Sequence, residues 1–279
     1  MLTLIVSKDN SGNYTSISES INAVSYREKA RIIIKEGIYR EKLFSDKSDI
    51  ELIGEGNVFI TFSDSGREIL DNGLKRGTFR SYTAFFSGER LLLENITIHN
   101  GAGSGKDVGQ AISLYLDVDN AYLKNVKLLG HQDTLFLSPL PEEEREKRGF
   151  YGPRCFSPRV RKHSVFEECT IEGSVDFIFG GGDAEFRNCN IVSNDDGFVT
   201  APSGKSSWNG LLFEGCKFTS PLNKKENVYL MRPWRDEGKA IFNSCTFGPH
   251  INRRCFIPWP GREDKAELAT FEMNNCVFI

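Results

Sequence analysis

Apolar residues recur along this chain in a fixed unit of six positions: apolar, any, mostly polar or small, Cys/Val/Ile, any, apolar. The unit occurs as Leu93 to Ile98, Leu123 to Leu128, Phe166 to Ile171, Phe186 to Ile191, Phe213 to Phe218, Phe242 to Phe247 and Met273 to Phe278. Successive starts are 30, 43, 20, 27, 29 and 31 residues apart. A period that drifts over this range is expected when each repeat is one supersecondary coil whose loops vary while its strand stays fixed. Within the unit the apolar positions alternate, as in a strand with one buried face. Only residues 17–30 read as a helix. The pattern therefore predicts an all-β solenoid, a parallel β-helix, in which stacked coils share one continuous core. With 279 residues and 39% apolar content, one domain over 1–279 is the expectation.

The fourth position of the unit holds Ile96, Val126, Cys169, Cys189, Cys216, Cys245 and Cys276, so five of the seven cysteines share one slot. Stacked coils bring that slot into register, where reduced thiols pack as small hydrophobes. No Cys-x-x-Cys and no close Cys/His pair is present, and His99, His131, His163 and His250 are scattered, so no metal is expected. A net charge of -3 and a pI near 5.9 give no bulk attraction for nucleic acid or an anionic membrane. No apolar run is long enough to span a bilayer. The segment Met1 to Asp9 has neither the basic leader nor the apolar core of a signal peptide. With the stacked thiols this favours the cytoplasm, secretion after removal of a signal being the alternative. A monomer is expected.

The register also places candidate chemistry. Asp133 lies seven residues after Val126, and Asp176 lies seven after Cys169, so the two occupy equivalent sites on successive coils. Neighbouring parallel strands are about 4.8 Å apart, which makes the two carboxyl groups near neighbours on one face. Such a pair separates into an acid and an ionised partner when repulsion raises one pKa and a nearby cation holds the other charged. Taken singly, Gly130-His-Gln-Asp-Thr134 and Asp176-Phe-Ile-Phe-Gly-Gly-Gly182 also read as coil corners, since Asp and Gly are common in turns. Asp176 sits among Val175, Phe177, Ile178 and Phe179, where an unpaired carboxylate is costly. Asp196 likewise falls seven after Cys189, so the count alone does not select catalytic groups.

Over nearly its whole length the sequence resembles the pectin methylesterases. The matching blocks run in order from Val6 to Thr15, through Glu36-Gly-Ile-Tyr-Arg-Glu41, Gly77 to Thr83 and Gly109-Gln-Ala-Ile-Ser-Leu114, to Gly130-His-Gln-Asp-Thr-Leu135, Val175-Asp-Phe-Ile-Phe-Gly180 and Leu230-Met-Arg-Pro-Trp234. The resemblance implies a right-handed single-stranded parallel β-helix with long loops forming a substrate groove. It implies that Asp176 is the nucleophile on a C6 methyl ester, Asp133 the acid and then the base, and Gln110 and Gln132 the donors to the oxyanion. Arg232 is implied to hold the nucleophile ionised, and Thr78, Trp234 and Phe179 to contact substrate. The implied partner is methylated pectin or an oligogalacturonide, with no metal or organic cofactor.

Two departures stand out. Residues from about 138 to 163 are inserted between Asp133 and the next coil, carrying four prolines, the run Glu142-Glu-Glu-Arg-Glu-Lys-Arg148 and basic Arg154, Arg159, Arg161 and Lys162. This loop is expected to line or cover the groove and to supply cations to an acidic polysaccharide, or else to be a solvated excursion. His131 and Met231 stand where the family has an aromatic residue and a glycine, which predicts an altered subsite or pH optimum. Another pectin-active β-helix enzyme, a polygalacturonase or lyase, and a non-catalytic carbohydrate-binding β-helix are the rival readings. The sequence lacks the Asn-Thr-Asp and Gly-His-Gly blocks of the hydrolases, the clustered acidic calcium site of the lyases and the Gly-x-Ser-x-Gly elbow of serine hydrolases.

Overall fold

The computed structural model describes residues 1–279. Its strands form one 19-stranded sheet, wound as a right-handed β-helix in which every ladder between strands is parallel. The first strand, Leu2–Val6, pairs with Lys29–Arg40, which pairs with Asp49–Phe62, which pairs with Ala84–Asn100. Each coil after these hydrogen-bonds to the next down to Val277–Phe278. Side chains pointing into the coil merge into one core of 52 buried residues.

The repeat unit is not a straight strand. Its third position is left-handed in every copy: Asn95, Asn125, Glu168, Asn188, Gly215, Ser244 and Asn275 all have φ between 50° and 62°. The chain turns a corner there. One residue adopting a positive φ breaks the alternation, which is why the inward apolar positions fall at one, four and six. Asn and Gly are the residues that tolerate this conformation best, and four of the seven corners are Asn. The fourth-position cysteines follow directly. Cys169, Cys189, Cys216 and Cys245 are buried, and each thiol lies within 3.2 to 3.6 Å of a carbonyl oxygen at position one of the preceding coil, a weak S–H donation. All seven cysteines are free. At position one, Phe166, Phe186, Phe213 and Phe242 stack with ring centroids 4.5 to 4.9 Å apart.

The helix is shorter than the expected 17–30. It spans Ile17–Ala23, with the Ser16 hydroxyl accepting from the Glu19 amide and Glu41 accepting from the Ile17 and Ser18 amides at its N-terminus. Residues from Lys29 onward form a strand instead, because Ala30, Ile32 and Ile34 alternate with polar neighbours and point into the core. Ile17, Ile21 and Val24 join the same core, so the helix packs across the first strands. No helix is long and apolar enough to cross a membrane.

A second, aromatic layer of ten buried residues lies on the outer side of the central coils. The strand Leu135–Leu137 shows how it forms: Leu135 and Leu137 enter the main core, while Phe136 between them points outward into the aromatic layer. Phe79, Tyr115, Phe150 and Phe179 complete its centre. The inserted segment closes over this layer through Leu140 and Phe150. Its four basic residues do not face a substrate groove as expected. Arg154 pairs with buried Asp117 at 2.5 Å, Arg161 with buried Asp183 at 2.5 Å and Lys162 with Asp119, while Arg159 donates to the carbonyls of Pro141, Cys155 and Ser157. Ser138 also donates to Asp117. These contacts anchor the second half of the loop and occupy its cations, while the charge run 142–148 stays exposed to solvent.

Candidate active site

Asp133 and Asp176 both occupy coil corners, with φ of 66° and 50°. The corner reading and the functional reading are therefore compatible, since Asp is among the few residues that enter the left-handed region readily. The strand pairing brings them opposite each other. Residues 127–129 pair with 170–172, and 135–137 pair with 178–180, so an offset of 43 holds on both flanks of the two aspartates. The Asp133 amide also donates to the Val175 carbonyl at 3.0 Å. Asp196 does not join them. Register shifts beside Val175 put Val175 opposite Phe198 and Ile178 opposite Thr200, which moves Asp196 out of line. It is exposed, held by Lys224 at 2.6 Å.

Arg232 separates the two carboxylates chemically. Its Nη2 donates to Asp176 Oδ2 at 2.6 Å and its Nε to Oδ1 at 3.3 Å. Its guanidinium is itself clamped, with its central carbon 3.7 Å from the centroids of both Phe198 and Trp259. Burial pushes the Asp133 carboxyl well above the ordinary carboxylate range, and the charge of Asp176 pushes it further. Burial raises Asp176 as well, but the Arg232 charge and hydrogen bonds pull it back down. The pair thus holds its first proton on Asp133.

Gln110 and Gln132 are brought to the same groove, an open hollow of about 340 Å³ that also exposes Asp133, Asp176 and Arg232. Gln132 rests against the short helix Gly105–Val108. A Cβ on Gly105 would stand 2.6 Å from the Gln132 Cβ and 2.7 Å from its Oε1, so the glycine leaves the room that this amide occupies. Thr78 and Trp234 line the groove. Phe179 also reaches it, but it is only 4% exposed and serves as floor, in contact with Phe79, Phe136 and Trp234. Met231 does not alter the groove, because its side chain is fully buried in the main core. His131 is half-buried and is not part of the groove lining.

Several groove residues were not singled out by the sequence: Trp259, Phe79, Phe150 and Arg235. Trp259 carried one signal, its position between Pro258 and Pro260, which marks a rigid loop presenting an aromatic side chain. Arg145 and Phe150 come from the insert, so the loop does line the groove, through residues other than its basic second half.

A β-helix carrying two opposed buried aspartates, one of them clamped by an arginine, defines the class of this molecule as a solenoid with a two-carboxylate site. The comparisons narrow it. The pectinesterase family model matches residues 3–151 and 159–277, and the chain belongs to that family. A probable pectinesterase/pectinesterase inhibitor of Arabidopsis thaliana is 31% identical over 277 residues, covering 92% of this chain and 43% of its own length. The chain thus spans less than half of that relative. Pectinesterase 31 of the same plant is 29% identical, with 96% of this chain and 80% of the relative covered. The solved pectin methylesterase from Aspergillus niger superposes with a TM-score of 0.80 at 26% identity, covering 99% of this chain and 85% of that one. The residues skipped by the family model, 152–158, lie in the insert.

Proposed function

We propose that this chain hydrolyses the C6 methyl esters of pectin, as methylated homogalacturonan or its oligomers, to galacturonate and methanol. The observation that carries the reading is the asymmetric pair: Asp176 bound by Arg232, and Asp133 opposite it with a raised pKa and no cation of its own. An Asp176 oxygen attacks the ester carbonyl carbon, and Oδ1 is the less tightly held of the two. The side-chain amides of Gln110 and Gln132 donate to the oxyanion that forms. Asp133 gives its proton to the departing methoxy oxygen, which leaves as methanol, with an acyl anhydride remaining on Asp176. Water then attacks the acyl carbon as Asp133 takes one of its protons. The anhydride opens, Asp176 regains its carboxylate, and the galacturonic acid product loses its proton to solvent.

Trp234 supports the substrate assignment, since an aromatic face over an aromatic floor suits the apolar face of a sugar ring. The free cysteines support work in a reducing compartment such as the cytoplasm. The test is methanol release from methylated pectin and from short methylated oligomers, with chain length followed in parallel. Methanol without chain shortening is the expected result. Shortening without methanol means glycosidic cleavage and ends the esterase reading.

The Gly105 packing gives a second expectation. In Gly105→Ala the new methyl group displaces Gln132, lowering kcat about tenfold, less than the roughly 10²- to 10³-fold loss from deleting an oxyanion donor outright. An unchanged kcat in the folded variant means that the Gln132 amide does not act on the reacting carbonyl.

A further inference from the structure

The helix Gly105–Val108 has only four residues, too few to persist on its own hydrogen bonds. All four of its carbonyls belong to its last turn, where a helix needs partners from outside. The Gly105 carbonyl accepts from the Gly109 amide at 3.0 Å. The other three are taken by a single residue of the loop between the strands Asp49–Phe62 and Ala84–Asn100. Arg67 Nη1 donates to the Lys106 carbonyl at 2.6 Å and, more weakly, to that of Asp107 at 3.3 Å, and the Arg67 amide donates to the Val108 carbonyl at 3.1 Å. A Cβ on Gly109 would stand 3.0 Å from the Arg67 Cγ, so the arginine stem lies directly on that glycine. The other tie on the helix is weaker. Lys106 meets Asp195 at 2.7 Å, but the lysine side chain is 73% exposed, and a surface pair of this kind contributes little.

The segment that Arg67 fastens touches both of the amides assigned to the oxyanion. Gly105 packs on the Gln132 side chain, and Gln110 follows the helix by two residues. The Gly66 amide, next to Arg67, donates to the Gln110 carbonyl at 2.7 Å, and a Cβ on Gly66 would stand 2.9 Å from Gln110 Oε1. The Ala111 amide donates to the Gln132 carbonyl at 3.1 Å, which ties the two glutamines together. We propose that Arg67 is a positioning residue for the oxyanion site: it fixes the helix Gly105–Val108, and through it the places of Gln110 and Gln132, before the ester arrives. Donors aimed in advance lower the barrier because nothing has to reorganise as charge develops. Arg67 itself is exposed and does not line the groove, so it acts through the glutamines. This deepens the esterase reading and rests on it for the reaction that the donors serve.

The test compares Arg67→Met and Arg67→Lys. Met keeps an apolar stem on Gly109 and removes the guanidinium donors, while Lys restores donors at a single nitrogen. With a methylated oligogalacturonide, Arg67→Met is expected to lower kcat about tenfold and leave KM within about twofold, since oxyanion donors act in the transition state. Arg67→Lys is expected to lose only about threefold. In a Gln132→Ala background the Met substitution is expected to cost about threefold or less, because one of the two donors it disturbs is already gone. The same factor in both backgrounds, or an unchanged kcat in folded Arg67→Met, overturns the proposal. Hydrogen exchange needs no turnover: the amides of Asp107, Val108 and Gly109, which donate within this turn, are expected to exchange about tenfold faster in Arg67→Met while the coil strands keep their protection. Unchanged exchange at these amides also overturns it. Faster exchange in the variant, with no methanol released by the wild type from any substrate, upholds the fastening of the helix by Arg67 and removes the esterase reading instead.

Discussion

Asp176→Asn is expected to lower methanol release by roughly 10⁴-fold or more, the scale of loss when the nucleophile of an acyl-transfer site is removed. The amide keeps the shape of the carboxylate and one oxygen that can accept from Arg232 Nη2, so binding geometry is retained while the attacking charge is gone. Stability responds to two opposed changes. The Arg232 guanidinium, enclosed by Phe198 and Trp259, loses its counter-ion, which is destabilising in a buried pair. A carboxylate disfavoured by burial is removed at the same time, which is stabilising. The melting temperature is therefore expected to move little compared with the rate. Turnover within tenfold of wild type in a folded Asp176→Asn protein rules out nucleophilic attack by this residue. Substituting Arg232 by Met should reproduce part of the rate loss and shift the acidic limb of the pH profile upward, because the group that draws the Asp176 pKa down is then absent.

The coil repeat was legible because burial of one face leaves an apolar residue at fixed places whatever the loops do. Its left-handed corner was not, since Asn, Glu, Gly and Ser all occupy that slot and share a backbone angle rather than a composition. The opposed aspartates were legible from counting within the repeat, and the same count misplaced Asp196 because bulges near Val175 shift the ladder by two to three residues. Trp259 and Phe198 were missed for a related reason. They act on Arg232 from one loop and one strand of later coils, and only the winding of the chain brings them to either face of the guanidinium. The insert was read correctly as part of the groove and wrongly in its residues. Its second half meets acids of the scaffold, Asp117 and Asp183, that lie on the outer face of their strands and are buried beneath the insert, which a linear reading does not reveal.

Asp133→Asn is the complementary case, in which activity and stability are expected to move in opposite directions. Without the acid, methanol must leave unprotonated, and kcat/KM should fall by roughly 10²- to 10⁴-fold. The shape of the pH profile should change as well. By the proposed mechanism, activity in the wild type requires Asp176 ionised and Asp133 protonated. It is lost as pH falls through the Asp176 pKa, which is raised from its ordinary value, and again as pH rises through the Asp133 pKa, which burial and the Asp176 charge push well above its own. The variant should keep the acidic limb and lose the alkaline one. Stability follows from the same shift. A carboxyl whose folded pKa is raised holds its proton more tightly folded than unfolded, so its contribution is fully present below the unfolded pKa and is lost as pH rises through the folded one. Asn carries no charge to bury. The variant should therefore melt close to the wild type near pH 4 and above it near pH 8, with the gap widening in between. A gap that is constant across this range would mean that Asp133 titrates alike in the folded and unfolded chain. Its assignment as the proton reservoir of the pair would then fail, whatever the loss of activity.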